Sequence, residues 1–182
     1  MAHSLTPTGR VLLGMIAYGR RTGYEIKQLV DKSTRHFWAA SYGQIYPELR
    51  RLEEEGLVRS SSEPSGGRAR TAYDLTEAGG QALQEWLAAE HELFYELRDE
   101  GMLKLFFSDV SPEDRIQNLR AMRELYQRKF DQLTALQADK SHEMPTGPQL
   151  TLQMGLAITR CLIDWCEATE GRLAEAEQKI EV

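Results

Sequence analysis

Apolar residues recur at helical spacing in several segments of the first 90 positions, and each segment begins with a capping signal. Thr6 precedes Pro7, an arrangement that favours the first turn of a helix. Thr22 and Glu25 form a capping box, in which each side chain satisfies an unpaired amide of the first turn. The sequence therefore predicts two short helices whose inward residues are Val11, Leu12, Met15, Ile16, Ile26, Leu29 and Val30.

A third helix follows, and the pattern then changes from helical to alternating. Ser41 and Gln44 form another capping box, and Gly56 supplies the helix end. Residues 57–62 and 70–76 read as two short strands joined by a turn-rich segment, and a fourth helix begins at Thr76-Glu77. Three helices, a hairpin and a returning helix constitute a winged helix-turn-helix domain, with Ile45, Leu49 and Leu52 on the inner side of the third helix.

The second half is helical throughout in its pattern. Apolar residues at helical spacing occupy 93–107 and 116–136, a loop is predicted over 141–148, and a last long helix reaches residue 180. Two long amphipathic helices joined by a short loop form a hairpin that cannot cover both of its apolar sides, so we expect a second copy to cover one.

The predicted fold is therefore mostly α-helical with one small β-hairpin. Residues 1–90 form the winged helix-turn-helix domain, and residues 91–182 form a domain of long helices for dimerisation. The apolar positions expected at the contact between copies are Leu119, Tyr126, Phe130, Leu133, Leu156, Ile163, Leu173 and Ile180.

Composition is typical of a soluble cytoplasmic protein. Of the 182 residues, 41% are hydrophobic and 27% are charged, which is ordinary for a globular chain. The longest apolar run, residues 11–18, is far shorter than the roughly 20 residues needed to cross a bilayer. The first ten residues show no secretion signal, and Cys161 and Cys166 make no disulfide framework, so we expect the reducing cytoplasm.

The net charge is divided unevenly. Residues 1–90 contain 11 basic and 11 acidic side chains, whereas residues 91–182 contain 11 and 17, so the net charge of −6 belongs to the second half. An acidic protein does not coat nucleic acid or a membrane surface nonspecifically, but the neutral half is compatible with a local surface that reads DNA.

The outer face of the third helix is the best candidate for such a surface. Small residues beside long hydrogen-bond donors can approach a DNA groove and reach base edges and phosphates. An ordinary solvated helix face is the alternative, but the position before a hairpin favours DNA. The wing adds arginines suited to phosphate or minor-groove contact. The expected DNA contacts are Ser41, Tyr42, Gly43, Gln44, Tyr46, Pro47, Arg50, Arg51, Arg59, Arg68 and Arg70.

Several segments carry a distinctive set of motifs: LTPTGRVLLGMI, TGYEIKQLV, SYGQIYPELRRLEEEGLV and RTAYDLTEAG. The most specific part is the pattern of Ser41, Gly43, Tyr46 and Pro47. These motifs resemble the N-terminal domain of the PadR family of bacterial transcriptional regulators. The segment LRDEGMLKLFF and the helices after it resemble the longer subfamily, which has a virulence-activator-type C-terminal domain.

This resemblance implies a homodimer that binds an inverted-repeat operator in double-stranded DNA. It places the third helix in the major groove, the wing on the backbone or minor groove, and the C-terminal helices around the partner subunit. Family members are mostly repressors, several release DNA on binding phenolic acids or other flat hydrophobic compounds, and longer members can be activators.

Aromatic residues are candidates for lining an effector pocket between the two domains. Stacked rings suit an aromatic ligand, and Arg160 is a candidate anchor for its carboxylate. Aromatic residues at helical spacing also serve simply as core, and Arg160 also fits a solvated helix position. The candidate lining residues are Trp38, Phe94, Tyr95, Phe106, Tyr126 and Trp165.

Signals for catalysis are nearly absent. His91-Glu92 lacks the second histidine of a zinc-protease helix, and Cys161 and Cys166 do not have the spacing of a metal clamp. We therefore expect a DNA-binding regulator that is not an enzyme and uses no metal, cofactor or membrane. Two other hypotheses stay open: a winged helix used for protein–protein interaction, and a small-molecule or metal sensor whose chemistry lies in the helical half.

Overall fold

Seven α-helices, three short 3-10 helices and one β-hairpin make up the regular structure of the described part of the chain, so the predicted fold class is confirmed. The computed structural model describes residues 5–63, 70–90, 93, 95–140 and 144–180. The chain divides into two compact units, Met1–Leu93 and Phe94–Val182. The elements are α1 (Pro7–Ala17), α2 (Gly23–Lys32), α3 (Tyr42–Glu54), β1 (Val58–Glu63), β2 (Arg70–Leu75), α4 (Glu77–Ala88), α5 (Glu100–Phe106), α6 (Arg115–Lys140) and α7 (Thr146–Ile180).

Local capping determines where the helices of the first unit begin and end. The Thr6 hydroxyl accepts a hydrogen bond from the Gly9 amide (2.9 Å) at the start of α1. At the start of α2, Thr22 accepts from the Glu25 amide (3.2 Å) and Glu25 accepts from the Thr22 amide (3.1 Å), which confirms the predicted capping box. Gly56, with a φ of 71°, follows the last turn of α3 in the left-handed conformation that favours glycine.

The first unit closes around one apolar core. Leu12 of α1, Ile26 of α2 and Leu49 of α3 are fully buried, and α4 and the hairpin add further apolar side chains. Burial of each such side chain contributes about 1.5–3 kcal/mol to folding, so α3 rests on a well-packed base. The buried residues are Leu5, Leu12, Leu13, Met15, Ile16, Ile26, Val30, Ala40, Ile45, Leu49, Leu52, Leu57, Val58, Tyr73 and Ala82.

β1 and β2 pair antiparallel, in a register that runs from Val58 opposite Leu75 to Glu63 opposite Arg70. The predicted hairpin is therefore present. Glu63 was expected in the turn, but it forms the last pair of the ladder instead. The remainder of the predicted turn, within positions 64–69, lies outside the described residues.

The second unit is built on the antiparallel pair of α6 and α7. Two 3-10 turns, Ser108–Val110 and Pro112–Asp114, connect α5 to α6. No helix in the described part of the chain combines membrane-spanning length with sufficient apolar character. The apolar residues buried between the long helices are Leu119, Met122, Tyr126, Leu133, Ile163 and Cys166.

The helix predicted over 93–107 is much shorter in the structure. Residues 95–99 have no regular structure, and α5 covers only Glu100–Phe106. Asp99 has an extended backbone, and its carboxylate accepts a hydrogen bond from the Met102 amide (3.0 Å). Apolar spacing suggested a longer helix, but the capping carboxylate sets its start.

The loop predicted over 141–148 ends earlier than expected. α7 begins at Thr146, and the Gln149 amide donates to the Pro145 carbonyl (3.1 Å) as the first bond of the helix. Pro148 therefore lies in the first turn, where backbone amides have no helical acceptor and a residue without N–H costs little. Proline at this point marks a helix start.

Candidate nucleic-acid interface

α3 has one fully buried face and one exposed face. Ile45, Leu49 and Leu52 are each 0% exposed and fix the helix to the core. The opposite face is polar, has small residues near its centre, and fits the dimensions of a DNA major groove. The predicted DNA contacts that it exposes are Ser41, Tyr42, Gly43, Gln44, Tyr46, Pro47 and Arg50.

The first turns of α3 combine a side-chain cap with a missing backbone bond. The side-chain oxygen of Gln44 accepts from the Ser41 amide (3.0 Å) and the Ser41 hydroxyl (3.1 Å). Pro47 lies inside the helix and has no N–H for the Gly43 carbonyl. Gly43 and Pro47 are both exposed, so the missing backbone bond lies on the outer side of α3.

Two tyrosines form a stacked pair on the exposed side of α3. The Tyr42 and Tyr46 rings lie 6.1 Å apart with 14° between their planes. The Lys27 ammonium lies 5.5 Å from the centre of the Tyr42 ring, and the Tyr46 ring packs on Gly23 of α2. A Cβ at position 23 would lie 2.6 Å from that ring, so Gly23 determines where Tyr46 can stand.

Arg50 and Arg51, both predicted to contact DNA, lie in different environments. Arg51 donates to the Glu48 carboxylate (2.7 and 3.1 Å) and to Glu55. Its hydrogen bonds lower the pKa of Glu48, which also accepts from the Thr6 hydroxyl. Arg51 thus holds the Glu48 carboxylate, and Glu48 joins α3 to the start of α1. Arg50 is exposed and forms no ion pair with a described residue.

The wing arginines lie on one face of the hairpin, beside carboxylates. Arg59 stands opposite Asp74, and Arg70 stands opposite Glu63. Both arginines are exposed, as expected of residues that contact phosphate. Arg68, the third predicted wing contact, lies outside the described residues.

Arg21, in the connection between α1 and α2, binds both wing carboxylates and was missed by sequence reasoning. Its guanidinium donates to the two carboxylate oxygens of Asp74 (2.6 and 2.6 Å) and to Glu63. These hydrogen bonds lower the pKa of Asp74. The Arg21 carbonyl also accepts from the Tyr73 amide (2.6 Å). Its partners lie 42 and 53 positions away, so no local pattern indicates the contact.

A second attachment joins the wing to the end of α3. The Glu53 carboxylate accepts from the Ser60 amide (3.2 Å) and from the Ser60 hydroxyl. The hairpin is therefore connected by side chains to α3 on one side and to Arg21 on the other. Both attachments favour one orientation of the wing relative to the exposed face of α3.

The residues predicted to line an effector pocket occupy different environments. Trp38 lies in the first unit, and Phe94 lies outside the described residues. In the second unit, Phe106 is 80% exposed, Tyr95 is 83% exposed and Trp165 is 42% exposed. The described ring contacts do not join these side chains, although Phe106 packs edge-on against its neighbour Phe107.

Tyr126 and Arg160, the other two pocket candidates, are engaged within the second unit. Tyr126 is buried between α6 and α7, and its hydroxyl donates to the Asp99 carboxylate (2.7 Å). Burial, together with this bond, raises the pKa of Tyr126. The Arg160 guanidinium lies 4.2 Å above the Phe130 ring. Among the described residues, no cluster of His, Cys, Asp and Glu could hold a metal ion.

The structure corrects which apolar residues are available to a second copy. Four of the predicted contact residues are buried within the α6–α7 pair of the chain itself: Leu119, Tyr126, Leu133 and Ile163. Three more, Phe130, Leu156 and Leu173, are partly buried, and the side chain of Ile180 lies outside the described residues. Half of the predicted contact residues therefore belong to the core of one chain, because α6 and α7 turn these side chains toward each other.

A different apolar stripe is exposed on α7. Leu150, Met154, Ile158 and Trp165 are between 42% and 64% exposed. They lie on one face because their spacing of four, four and seven residues follows the helical repeat. Leu125 of α6 is half exposed as well. We name the four α7 residues the α7 stripe.

The first unit has the architecture of a winged helix-turn-helix, with a polar outer face on its third helix, so the fold and site define a transcriptional regulator. Comparison with known families agrees. The chain matches the "Transcriptional regulator PadR-like family" over residues 12–85 and "Virulence activator alpha C-term" over residues 97–174. It belongs to the PadR-like family of transcriptional regulators.

Related proteins align along most of the chain. The negative transcriptional regulator PadR of Bacillus subtilis is 29% identical over 168 residues, which cover 86% of this chain and 92% of that protein. Its crystal structure in complex with operator DNA has a TM-score of 0.79 at 27% identity and covers 90% of this chain and 97% of that one. The structure of the same protein with p-coumaric acid has a TM-score of 0.74, again at 27% identity, and covers 91% of this chain and 97% of that one.

Proposed function

We propose that this protein binds an inverted-repeat operator as a homodimer and represses transcription. The observation that carries the proposal is the exposed face of α3, where Gln44 and Arg50 stand on a helix whose opposite face is fully buried. The likeness to a PadR structure in complex with operator DNA supports it. In this proposal α3 enters the major groove, while Arg59, Arg68 and Arg70 contact the backbone or minor groove.

The first unit binds DNA in this proposal, and the second unit makes the dimer. The α7 stripe supports this division because water-exposed apolar residues along one helix face are covered favourably by a partner. A two-fold dimer fixes the distance between two copies of α3. Half-sites face the same side of DNA at intervals of about 34 Å, so the dimer geometry selects operator spacing.

The regulator responds to a small aromatic or hydrophobic effector in this proposal. The likeness to the PadR structure with p-coumaric acid supports an aromatic carboxylate as the first compound to test. An effector that favours a dimer with the wrong spacing weakens operator binding, and by linkage the operator weakens effector binding by the same factor. The protein acts in the cytoplasm through binding alone, without catalysis, cofactor or metal.

Activation of transcription is the second candidate. The match of residues 97–174 to a virulence activator C-terminal domain favours it. A reporter gene behind the operator separates the two: deletion of the regulator raises expression if it represses and lowers expression if it activates. Use of the winged helix for protein contacts alone is a further alternative, and it predicts no salt-dependent DNA binding.

The test is a fluorescence-anisotropy titration of the full chain against labelled DNA from upstream of its own coding region. A scrambled duplex of the same composition serves as control, and both are titrated at about 50 and 200 mM salt. Tight, salt-sensitive binding that the scrambled duplex does not match supports the proposal. Equal binding to both duplexes, or no binding to a panel of genomic fragments, contradicts it.

A further inference from the structure

We propose that Arg21 positions the wing for DNA by occupying Glu63 and Asp74, which keeps Arg59 and Arg70 free for phosphate. This inference rests on the proposed DNA-binding function. It assigns a role in DNA affinity to a residue that lies outside both α3 and the hairpin.

The hairpin register places each wing arginine beside a carboxylate. Arg59 is paired across the strands with Asp74, and Arg70 with Glu63. Side chains alternate along a strand, so all four belong to one face. Cross-strand neighbours have Cβ atoms about 4.5–5.5 Å apart, which is close enough for an arginine to form an ion pair with the opposite carboxylate.

Instead of Arg59 and Arg70, Arg21 binds the carboxylates of Glu63 and Asp74. It forms a two-pronged hydrogen bond with Asp74 (2.6 and 2.6 Å) and an ion pair with Glu63. Among the described residues, no carboxylate forms an ion pair with Arg59 or Arg70. The planar guanidinium suits this role because it presents several donors in one rigid fork.

The backbone around Arg21 holds the guanidinium in place. The Arg21 carbonyl accepts from the Tyr73 amide (2.6 Å), so the chain segment runs beside β2. The Arg21 amide donates to Glu25, the capping residue of α2 (3.1 Å). These bonds place the side chain over the charged face of the hairpin.

Charge counting gives the consequence of losing Arg21. The hairpin face and Arg21 carry three arginines and two carboxylates, and the Glu25 carboxylate beside Arg21 and within electrostatic reach of Arg70 brings the local net charge to zero. Without Arg21 the net charge is −1, and Glu63 and Asp74 attract the arginines opposite them. Each wing arginine must then break an ion pair before it can contact phosphate.

The experiment is a thermodynamic cycle on the full chain, measured as operator affinity at several salt concentrations. Arg21→Gln is compared with the double variant Arg59→Gln/Arg70→Gln and with the triple variant that combines them. Each phosphate contact contributes about 0.9 to the slope of log affinity against log salt. We expect Arg21→Gln to reduce that slope by up to about two per subunit, and to cause little further loss when Arg59 and Arg70 are already replaced.

Equal losses in both backgrounds contradict the inference, because Arg21 would then contact DNA itself or act through general stability. Thermal unfolding of every variant identifies a folding defect, and Arg21→Lys offers a folded alternative. Lysine keeps the charge but lacks the fork, so Arg21→Lys should retain more of the salt slope than Arg21→Gln, and equal slopes for these two folded variants also overturn the proposal. Absence of operator binding by the unsubstituted protein contradicts the proposed function instead.

Discussion

The two units expose different kinds of large hydrophobic side chain. Those of the first unit are mostly tyrosines, which carry a hydroxyl group: Tyr18, Tyr24, Tyr42 and Tyr46. Those of the second unit are mostly purely apolar, including Leu103, Phe106, Phe107, Val110, Leu150, Met154 and Ile158. The first unit suits a polar, hydrogen-bonding partner such as DNA, and the second suits an apolar partner such as its own copy.

The largest effect is expected from breaking the apolar surface of the second unit. Met154→Glu/Ile158→Glu places two charges on the α7 stripe, which opposes burial at a subunit contact. We expect a monomer by analytical ultracentrifugation and a loss of operator affinity of about 100-fold or more, because two linked half-site contacts become independent. Gln153→Glu adds charge at an exposed position outside the stripe and serves as control. A dimer that survives the double substitution contradicts this use of the stripe.

Arg50→Ala tests the polar surface of the first unit. We expect operator affinity to fall by roughly 1–3 kcal/mol, with reduced discrimination against mismatched operators if Arg50 contacts a base edge. Arg128→Ala removes the same charge from the exposed surface of α6 and should leave discrimination unchanged. Anisotropy titrations measure both, and equal effects of the two variants contradict a specific role for Arg50.

Gly23→Ala tests the packing of α2 against Tyr46, a residue on the exposed side of α3. The added methyl group meets the Tyr46 ring, so we expect a loss of stability of about 1–3 kcal/mol together with weaker operator binding. Gly14→Ala is the matched control, since a Cβ there has no neighbour within 4 Å, and it should stabilise α1 by up to about 1 kcal/mol. In thermal unfolding, Gly23→Ala should lower the melting temperature and Gly14→Ala should raise it. A change of the same sign in both variants contradicts the packing argument.

The smallest effect is expected from Glu48→Gln and concerns acid stability. Because folding lowers the pKa of Glu48, its stabilisation is present above the ordinary glutamate value of about 4.3. That stabilisation is lost as pH falls through the folded-state value. We expect Glu48→Gln to reduce the free energy of unfolding by about 1 kcal/mol or less at neutral pH. Its melting temperature should also decline less steeply toward pH 3 than that of the unsubstituted protein. An unchanged decline contradicts the Glu48–Arg51 assignment.

Sequence information predicts the first unit well because its signals are local. Capping boxes such as Thr22 with Glu25, and the apolar stripe of α3, involve residues within one or two helical turns. The Arg21 network was not predictable in this way, because its partners are brought together only by the folded hairpin. The angular position of Arg51 at the border of the exposed face predicts a DNA contact, whereas its spacing of three and four residues from Glu48 and Glu55 indicates the ion pairs that it forms within α3.

The second unit shows a different limit of periodicity. Apolar stripes on α6 and α7 predict that each helix is covered, but they do not tell whether the other helix or another chain covers a given stripe. Leu119 and Ile163 were therefore assigned to the contact between copies, although they are buried within one chain. The α7 stripe, which is exposed, became evident only once the helices were paired.

Asp99 has a consequence for the local stability of the second unit. One of its carboxylate oxygens caps α5, and the other accepts the Tyr126 hydroxyl of α6. A helix of seven residues is too short to persist alone in water. Because Asp99, which caps α5, is bonded to the core between α6 and α7, the first turn of α5 should open together with that core and not fray independently. Its amide hydrogens should then exchange with solvent at rates closer to those of α6 than to those of an isolated turn.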